Sequence, residues 1–310
     1  MADLTSREPE RDFVGYGRDP VDPRWPGGAR IAVNFNLAYE TGGERNVLDG
    51  DGASESLLTD IGWPSSRGKR SPLAESAFEY GSRVGIWRLL RIFERFEVPA
   101  SILAVATGLE RNPDVGQACV ELGHEIVSHG YRWIDYLEVD EATEREHMRL
   151  ATETLQAVTG VCPRGWMTGR PSMNTRRLLV EHGGYLYDRD VLNDELPYWV
   201  EVAGTPHLIV PYSYETNDNR CDQSTGFAQA DDFFQYVRDA FDVLWEEGSE
   251  RPALLSISMH DRLVGRPARA AGVIRLLDYM RSREGVWFCR GIDVAEHWRD
   301  VHPAAPAGAS

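Results

Sequence analysis

The stretch Arg30-Ile31-Ala32-Val33-Asn34-Phe35-Asn36-Leu37 is short, rich in branched and aromatic residues, and runs straight into a polar loop opening with Tyr39-Glu40. Such a run ending in a polar loop predicts a β-strand. Working outward from it, the same alternation recurs down the chain. After a polar stretch over residues 54–79, Ile86, Leu89, Leu90 and Phe93 fall at helical spacing and predict an amphipathic helix that Pro99 stops. Further strands are expected at 100–106, 125–128, 164–168, 185–188, 207–212, 253–260 and 286–289. Helices are expected at 113–122, 140–159, near 174, and at 231–247, 267–283 and 293–299. Asn112 stands where an N-cap belongs and Gly160 where a C-cap belongs. About seven β-α units joined by short links predict an α/β fold with a parallel sheet, in the simplest form a closed barrel, with an open doubly wound sheet as the alternative. One domain is expected over 1–310, with 1–14 and 304–310 as flexible tails.

Composition narrows the function. The 310 residues are 42% hydrophobic and 26% charged, as in an ordinary globular protein, and 49 acidic against 33 basic residues give a net charge of −16. That charge disfavours nucleic acid and anionic membranes and favours a small-molecule partner. The longest apolar stretch, near 99–109, is too short to span a bilayer, and the polar start of the chain carries no export signal. Cys119, Cys162, Cys221 and Cys289 are widely spaced, so reduced thiols in a cytoplasmic protein are expected. No strand is followed by a glycine-rich dinucleotide or triphosphate motif.

In parallel α/β folds, reactive groups gather at the carboxyl ends of the strands. Those ends carry Glu40, then Ser128-His129-Gly130-Tyr131-Arg132-Trp133, Thr168-Gly169-Arg170, Asp188-Arg189-Asp190 and His260-Asp261-Arg262. A carboxylate, two imidazoles and several guanidiniums on one rim suit proton transfer and oxyanion stabilisation. His124 lies at the start of its strand, remote from that rim, and is read as structural. His147, His182, His207, His297 and His302 are read the same way.

The stretches 123–133 (GHEIVSHGYRW), 165–170 (GWMTGR) and 256–260 (SISMH) resemble the successive motifs of the polysaccharide deacetylase superfamily. Residues 36–45 (NLAYETGGER), 79–83 (EYGSR), 128–136 (SHGYRWIDY), 144–148 (EREHM), 194–199 (DELPYW) and 263–269 (LVGRPAR) resemble its cofactor-independent allantoinases. The resemblance, running from about 15 to 303, implies an irregular (β/α) barrel, a homo-oligomer (dimer or tetramer), and hydrolysis of carbon–nitrogen bonds other than peptide bonds. Two departures stand out. The metal-dependent deacetylases hold their ion with an aspartate after strand one and two histidines spaced H-x-x-x-H. Here Trp133 stands at the second histidine and residues 36–38 offer no aspartate. Catalytic zinc needs about three protein ligands and a water, so no metal and no cofactor is expected; an unorthodox Glu40, His129 and His260 set is the alternative. In addition, residues 188–193 (DRDVLN) depart from the serine and tyrosine that the resemblance leads one to expect in a loop that contacts substrate.

The expected activity is opening of a cyclic amide, allantoin or a related hydantoin or imide, by addition of water. Glu40 is expected to act as general base or to orient the water, with His129 beside it, His260 as general acid, and Arg170 as oxyanion stabiliser or ureido clamp. Tyr131, Trp133, Asp135, Trp166, Asp188 and Arg262 are expected to contact substrate, beneath an insertion over 41–79. The rivals are a metal-dependent deacetylase of N-acetylated sugars and an inactive barrel that binds a small ligand.

Overall fold

Side chains alternate along β1 (Ile31–Tyr39), and that alternation sets the two faces of the sheet. Ile31, Val33, Phe35, Leu37 and Tyr39 join the main apolar core, while Asn34, Asn36 and Ala38 point to the barrel interior. The computed structural model describes residues 11–61, 63–223 and 226–305. Most of the expected tails, 1–10 and 306–310, lie outside the described residues. β1 pairs in parallel with β2 (Ser101–Ala104), β8 (Ala253–His260) and β9 (Val286–Cys289). β2 and β9 share one edge of β1, β9 against Ile31 to Asn34 and β2 against Asn36 to Tyr39. From β2 the sheet continues through β3 (Glu125–Ser128), β4 (Gly165–Trp166), β5 (Tyr187–Asp188) and β7 (Thr205–Ile209), with β6 (Tyr198–Val202) antiparallel at the end.

The sheet curls into an irregular barrel. Among the described residues β7 and β8 do not pair; the gap is crossed where the Ser258 N–H donates to the Thr216 carbonyl at 3.1 Å. The fold is thus the expected α/β barrel, with a ring of strands less complete than a closed barrel would have. The helices are α1 (Pro72–Tyr80), α2 (Ile86–Phe96), α3 (Ala106–Arg111), α4 (Pro113–Glu121), α5 (Glu141–Thr159), α6 (Thr175–His182), α7 (Ala230–Glu247), α8 (Pro267–Arg281) and α9 (Gly291–Val301). Leu89, Leu90 and Phe93 of α2 pack in the same core as the outward face of β1. As its sequence predicts, α5 ends at Gly160, φ 75°; it starts one residue later than expected, with the Asp140 carboxylate as its cap, accepting from Thr143 N–H at 2.8 Å. No described helix is long and apolar enough to cross a membrane, and the four cysteines are unbonded to one another.

Three elements differ from expectation. Residues 72–80 are helical, started by Pro72 and burying Ala74, Ala77 and Phe78, so the loop after β1 ends earlier. The second strand stops at Ala104 and the chain turns into α3. β6 and β7 form a hairpin through Ala203 and Gly204, both at positive φ, the geometry of a tight two-residue turn.

Between α1 and α2 the chain makes a π-helical turn, Gly81–Gly85, which lets this backbone lie against the turn after β8. A methyl on Gly85 would stand 2.0 Å from the Asp261 carbonyl oxygen. Gly85→Ala is therefore expected to destabilise the protein by about 1–3 kcal/mol through overpacking. Gly52→Ala, with nothing within 4 Å of the added methyl, serves as control. Denaturant midpoints of the two variants measure the difference, and equal midpoints would contradict the close approach.

Candidate functional site

Register brings three distant residues together on the inner face. Ala38 is opposite His260, while Tyr39 pairs with Ala104 and Ala104 with Ser128. The next inward positions are therefore Glu40 and His129, level with each other and one inward step beyond His260. Glu40 Oε1 lies 3.2 Å from His129 Nε2 and 3.5 Å from His260 Nε2. Its other oxygen, Oε2, accepts from Arg262 Nη2 at 2.5 Å. Glu40 is 3% exposed and Arg262 1%.

Each imidazole is oriented from behind. His129 Nδ1 bonds the Met167 carbonyl, and His260 Nδ1 bonds Asp218 Oδ1 at 2.6 Å. Asp218 is itself buried and also accepts from the backbone N–H of His260 at 2.9 Å. With Nδ1 engaged, Nε2 is the atom each ring presents to the site. Burial works against charge on Glu40, but the Arg262 and His260 charges outweigh it and hold the carboxyl well below its usual range. Burial likewise opposes the His260 charge, yet Glu40 and Asp218 raise this imidazole to about 9, so it is a cation at neutral pH. Asp261, on the far side of Arg262, is pushed up to about 7, chiefly by burial.

This donor set does not fit a catalytic divalent metal. Glu40 Oε2 is taken by a buried guanidinium, and Trp133 packs edge-on against Phe78 with ring centroids 6.2 Å apart, where a further ligand is lacking. Among the described residues no group of three or more His, Cys, Asp or Glu side chains is placed to hold an ion.

Glu40, His129 and His260 line a cavity of about 240 Å³. Arg170 and Trp133 form part of its wall. The Arg170 guanidinium stacks on Trp133 at 4.3 Å from the ring centroid, and Arg262 lies 5.0 Å from the same ring, so the indole contacts two cations. Arg170 approaches Glu55 only to 4.0 Å, which leaves its donors available to a ligand. Arg262, expected to contact substrate, is not among the residues that line the cavity and stands behind Glu40 as its counter-charge.

Four other residues expected to contact substrate lie elsewhere. Trp166 occupies an outward position of β4, between Gly165 and Met167, and packs on Tyr185 at 5.3 Å. Asp188 also points outward, to Arg176 at 2.8 Å and His207 at 3.1 Å. Tyr131 turns toward α5 and packs on His147 at 5.3 Å. Asp135 caps the turn Tyr136–Glu138, accepting from Leu137 N–H at 2.9 Å. The 188–193 loop does not present Arg189 to substrate: that side chain is buried in the barrel, donating to Asn34, Asn36 and Ser256. Its neighbour Asp190 braces the cavity wall by accepting from the backbone N–H of Thr168 and, at 2.7 Å, of Gly169. His124 accepts from Ala100 N–H at 3.1 Å, away from the cavity.

Sequence reading missed Asp218 because it sits in a turn, 42 residues before the histidine it holds. The Asp218–His260 pair has a consequence for stability. Because the folded imidazole titrates near 9 against an ordinary 6.5, its contribution is fully present below about pH 6.5 and is lost as pH rises through 9. Asp218→Asn removes one of the charges that raise it, so the loss is expected to begin at lower pH. Denaturant unfolding of both proteins from pH 6 to 10 measures this, and superimposable profiles would contradict the assignment.

The family model "Polysaccharide deacetylase" matches residues 67–183. A Schizosaccharomyces pombe protein assigned to the polysaccharide deacetylases is 41% identical over 314 residues, covering 94% of this chain and 98% of its own. Two solved structures are each 52% identical with a TM-score of 0.93 over 96% of this chain: a probable polysaccharide deacetylase of Pseudomonas aeruginosa PAO1, covered over 100% of its length, and Puue allantoinase, covered over 99%. With that likeness running along nearly its whole length, the chain belongs to the polysaccharide deacetylase family.

Proposed function

We propose that this chain hydrolyses a ring carbon–nitrogen bond of a small cyclic amide, allantoin or a related hydantoin or imide, without a metal. The observation that carries the reading is the Glu40 carboxylate set between the Nε2 atoms of His129 and His260 at the floor of a small cavity. Likeness to Puue allantoinase at 52% identity supports the substrate class.

Ring opening needs a proton acceptor for the attacking water, positive charge at the carbonyl oxygen and a proton donor for the departing nitrogen. Glu40, held as a carboxylate by Arg262, is a weak base and a strong anchor. It orients the water. His129, with its proton on Nδ1 toward the Met167 carbonyl and a lone pair on Nε2, takes the water proton on Nε2 as the water oxygen bonds to the ring carbonyl carbon, and only then donates to Glu40 Oε1. The Arg170 guanidinium faces the developing oxyanion. As the carbon–nitrogen bond breaks, the nitrogen takes its proton from His260 Nε2, whose cationic form Asp218 stabilises. Glu40 Oε1, in reach of both rings, returns the proton from His129 to His260. Four cysteines that form no disulfide accord with a reducing, cytoplasmic setting, and the resemblance to the allantoinases implies a homo-oligomer.

A second reading, deacetylation of N-acetylated sugars, draws on the names of the yeast and Pseudomonas relatives. It too breaks an amide carbon–nitrogen bond, but its substrate is an extended polymer.

On a hydantoin or imide that the wild type opens, His260→Ala is expected to lower kcat per folded molecule by roughly 10²- to 10⁴-fold, with some loss of melting temperature because buried Asp218 loses its imidazolium partner. Glu40→Gln should lose turnover similarly and also lose stability, because it strips a buried Arg262 of its counter-charge. A destabilised His260→Ala protein with normal activity per folded molecule would overturn the assignment.

A further inference from the structure

Residues 57–60 roof the cavity from the loop that follows β1, in a conformation that outside contacts must hold. Leu58 (φ 59°) and Asp60 (φ 63°) both lie in the left-handed region, which is costly for residues with a Cβ. The Leu58 N–H donates to Asp222 Oδ2 at 2.8 Å, and the Leu58 carbonyl accepts from Arg262 Nε at 2.8 Å. Thr59 is 1% exposed and donates to the Ser56 carbonyl at 2.6 Å. At the end of the segment Asp60 Oδ1 meets Arg269 Nη2 of α8 at 2.5 Å, with Arg266 Nε 4.0 Å from its other oxygen. Leu57 and Leu58 line the cavity, and Asp60 does not.

One guanidinium therefore joins the roof to the reactive floor, since Arg262 reaches Leu58 through Nε and Glu40 through Nη2. Its third group, Nη1, has no hydrogen-bond partner among the described residues and stands 3.8 Å from Asp261 Oδ1, a carboxylate oxygen equally without one. Were the Leu58 carbonyl to lift away, Arg262 would lose the acceptor that fixes its plane and could turn toward Asp261. Glu40 would then lose its nearest cation.

We propose that Asp60 is a positioning residue: its ion pair with Arg269 latches the 57–60 strap over the cavity, and the Leu58 carbonyl of that strap aims Arg262 at Glu40. The inference rests on the reading of this cavity as the substrate site. A strap over a small cavity must open to admit substrate and release product. The latch sits at the exposed edge, where an ion pair contributes modestly and opening is correspondingly easy. The pair sets the fraction of molecules that are closed, and apparent substrate affinity falls in proportion to that fraction, while chemistry in the closed complex is unchanged.

The test uses the full chain with Asp60→Asn, Asp60→Lys and Asp60→Glu. Hydrogen exchange at residues 57–60, read without substrate, should quicken by roughly two- to fivefold in Asp60→Asn, more in Asp60→Lys, and return toward wild type in Asp60→Glu, with exchange in the barrel strands unaltered. On the best ring substrate KM should rise in inverse proportion to the closed fraction that the exchange data give, while kcat stays within about twofold. Faster exchange without that rise in KM would separate the strap from Arg262 and overturn the coupling. A fall in kcat at constant KM would mark loss of folded enzyme and overturn the latch, as would unaltered exchange. If the wild type opens no cyclic amide, it is the functional reading that fails, and the exchange data alone then decide whether Asp60 latches the strap.

Discussion

A carboxylate buried at the bottom of a cavity must be compensated on the spot, and the Glu40–Arg262 pair is where this protein does so. Both groups are buried, so neither can be removed without stranding the other. Much of the surrounding structure serves that pair. Phe78 and Trp133 cover the guanidinium faces at 4.6 Å and 5.0 Å. The glycines of the π-helical turn let α1 and α2 close over Asp261 behind it. The Nε2 atoms of His129 and His260 flank the one Glu40 oxygen that Arg262 leaves open.

The same pair gives the site its chemical asymmetry. Asp218 pulls His260 toward the charged form, whereas His129 is tied to a neutral carbonyl. Two identical rings on either side of one carboxylate oxygen thus acquire donor and acceptor characters from their partners, the arrangement a proton donor and a proton acceptor in one reaction require. Below them the barrel interior is polar instead of apolar: Arg189 is buried among Asn34, Asn36 and Ser256, which stiffens the floor on which Glu40 stands.

Much of this was legible in the chain. Hydrophobic periodicity located β1, β3, β8 and most helices, and the strand-end rule found Glu40, His129, His260 and Arg170. The misplacements follow from physics a linear reading underuses. Strand period two puts Trp166 and Asp188 on the outer face once Met167 and Arg189 point inward, and one residue of register decides between pocket and core. Tyr131 and Asp135 lie beyond the strand, where a Gly130 at φ 82° redirects the chain and strand alternation no longer holds. Asp218 carries no local signal, because its partner is made only when the 216–217 segment bridges to β8. Helix α1 was hidden by its polar outer face, and β6 by its half-exposed position at the sheet edge.

The central claim is that this site opens a small ring by acid–base chemistry without a metal. It is tested most directly by exhaustively chelating the purified chain, measuring its metal content, and offering it allantoin and simpler hydantoins beside an N-acetylglucosamine oligomer. Release of the ring-opened carboxylate at a rate indifferent to the chelator, with well under one equivalent of metal per chain and no acetate, is the predicted result. Acetate from the sugar without ring opening, or ring opening lost on chelation and restored by one divalent ion, would contradict it.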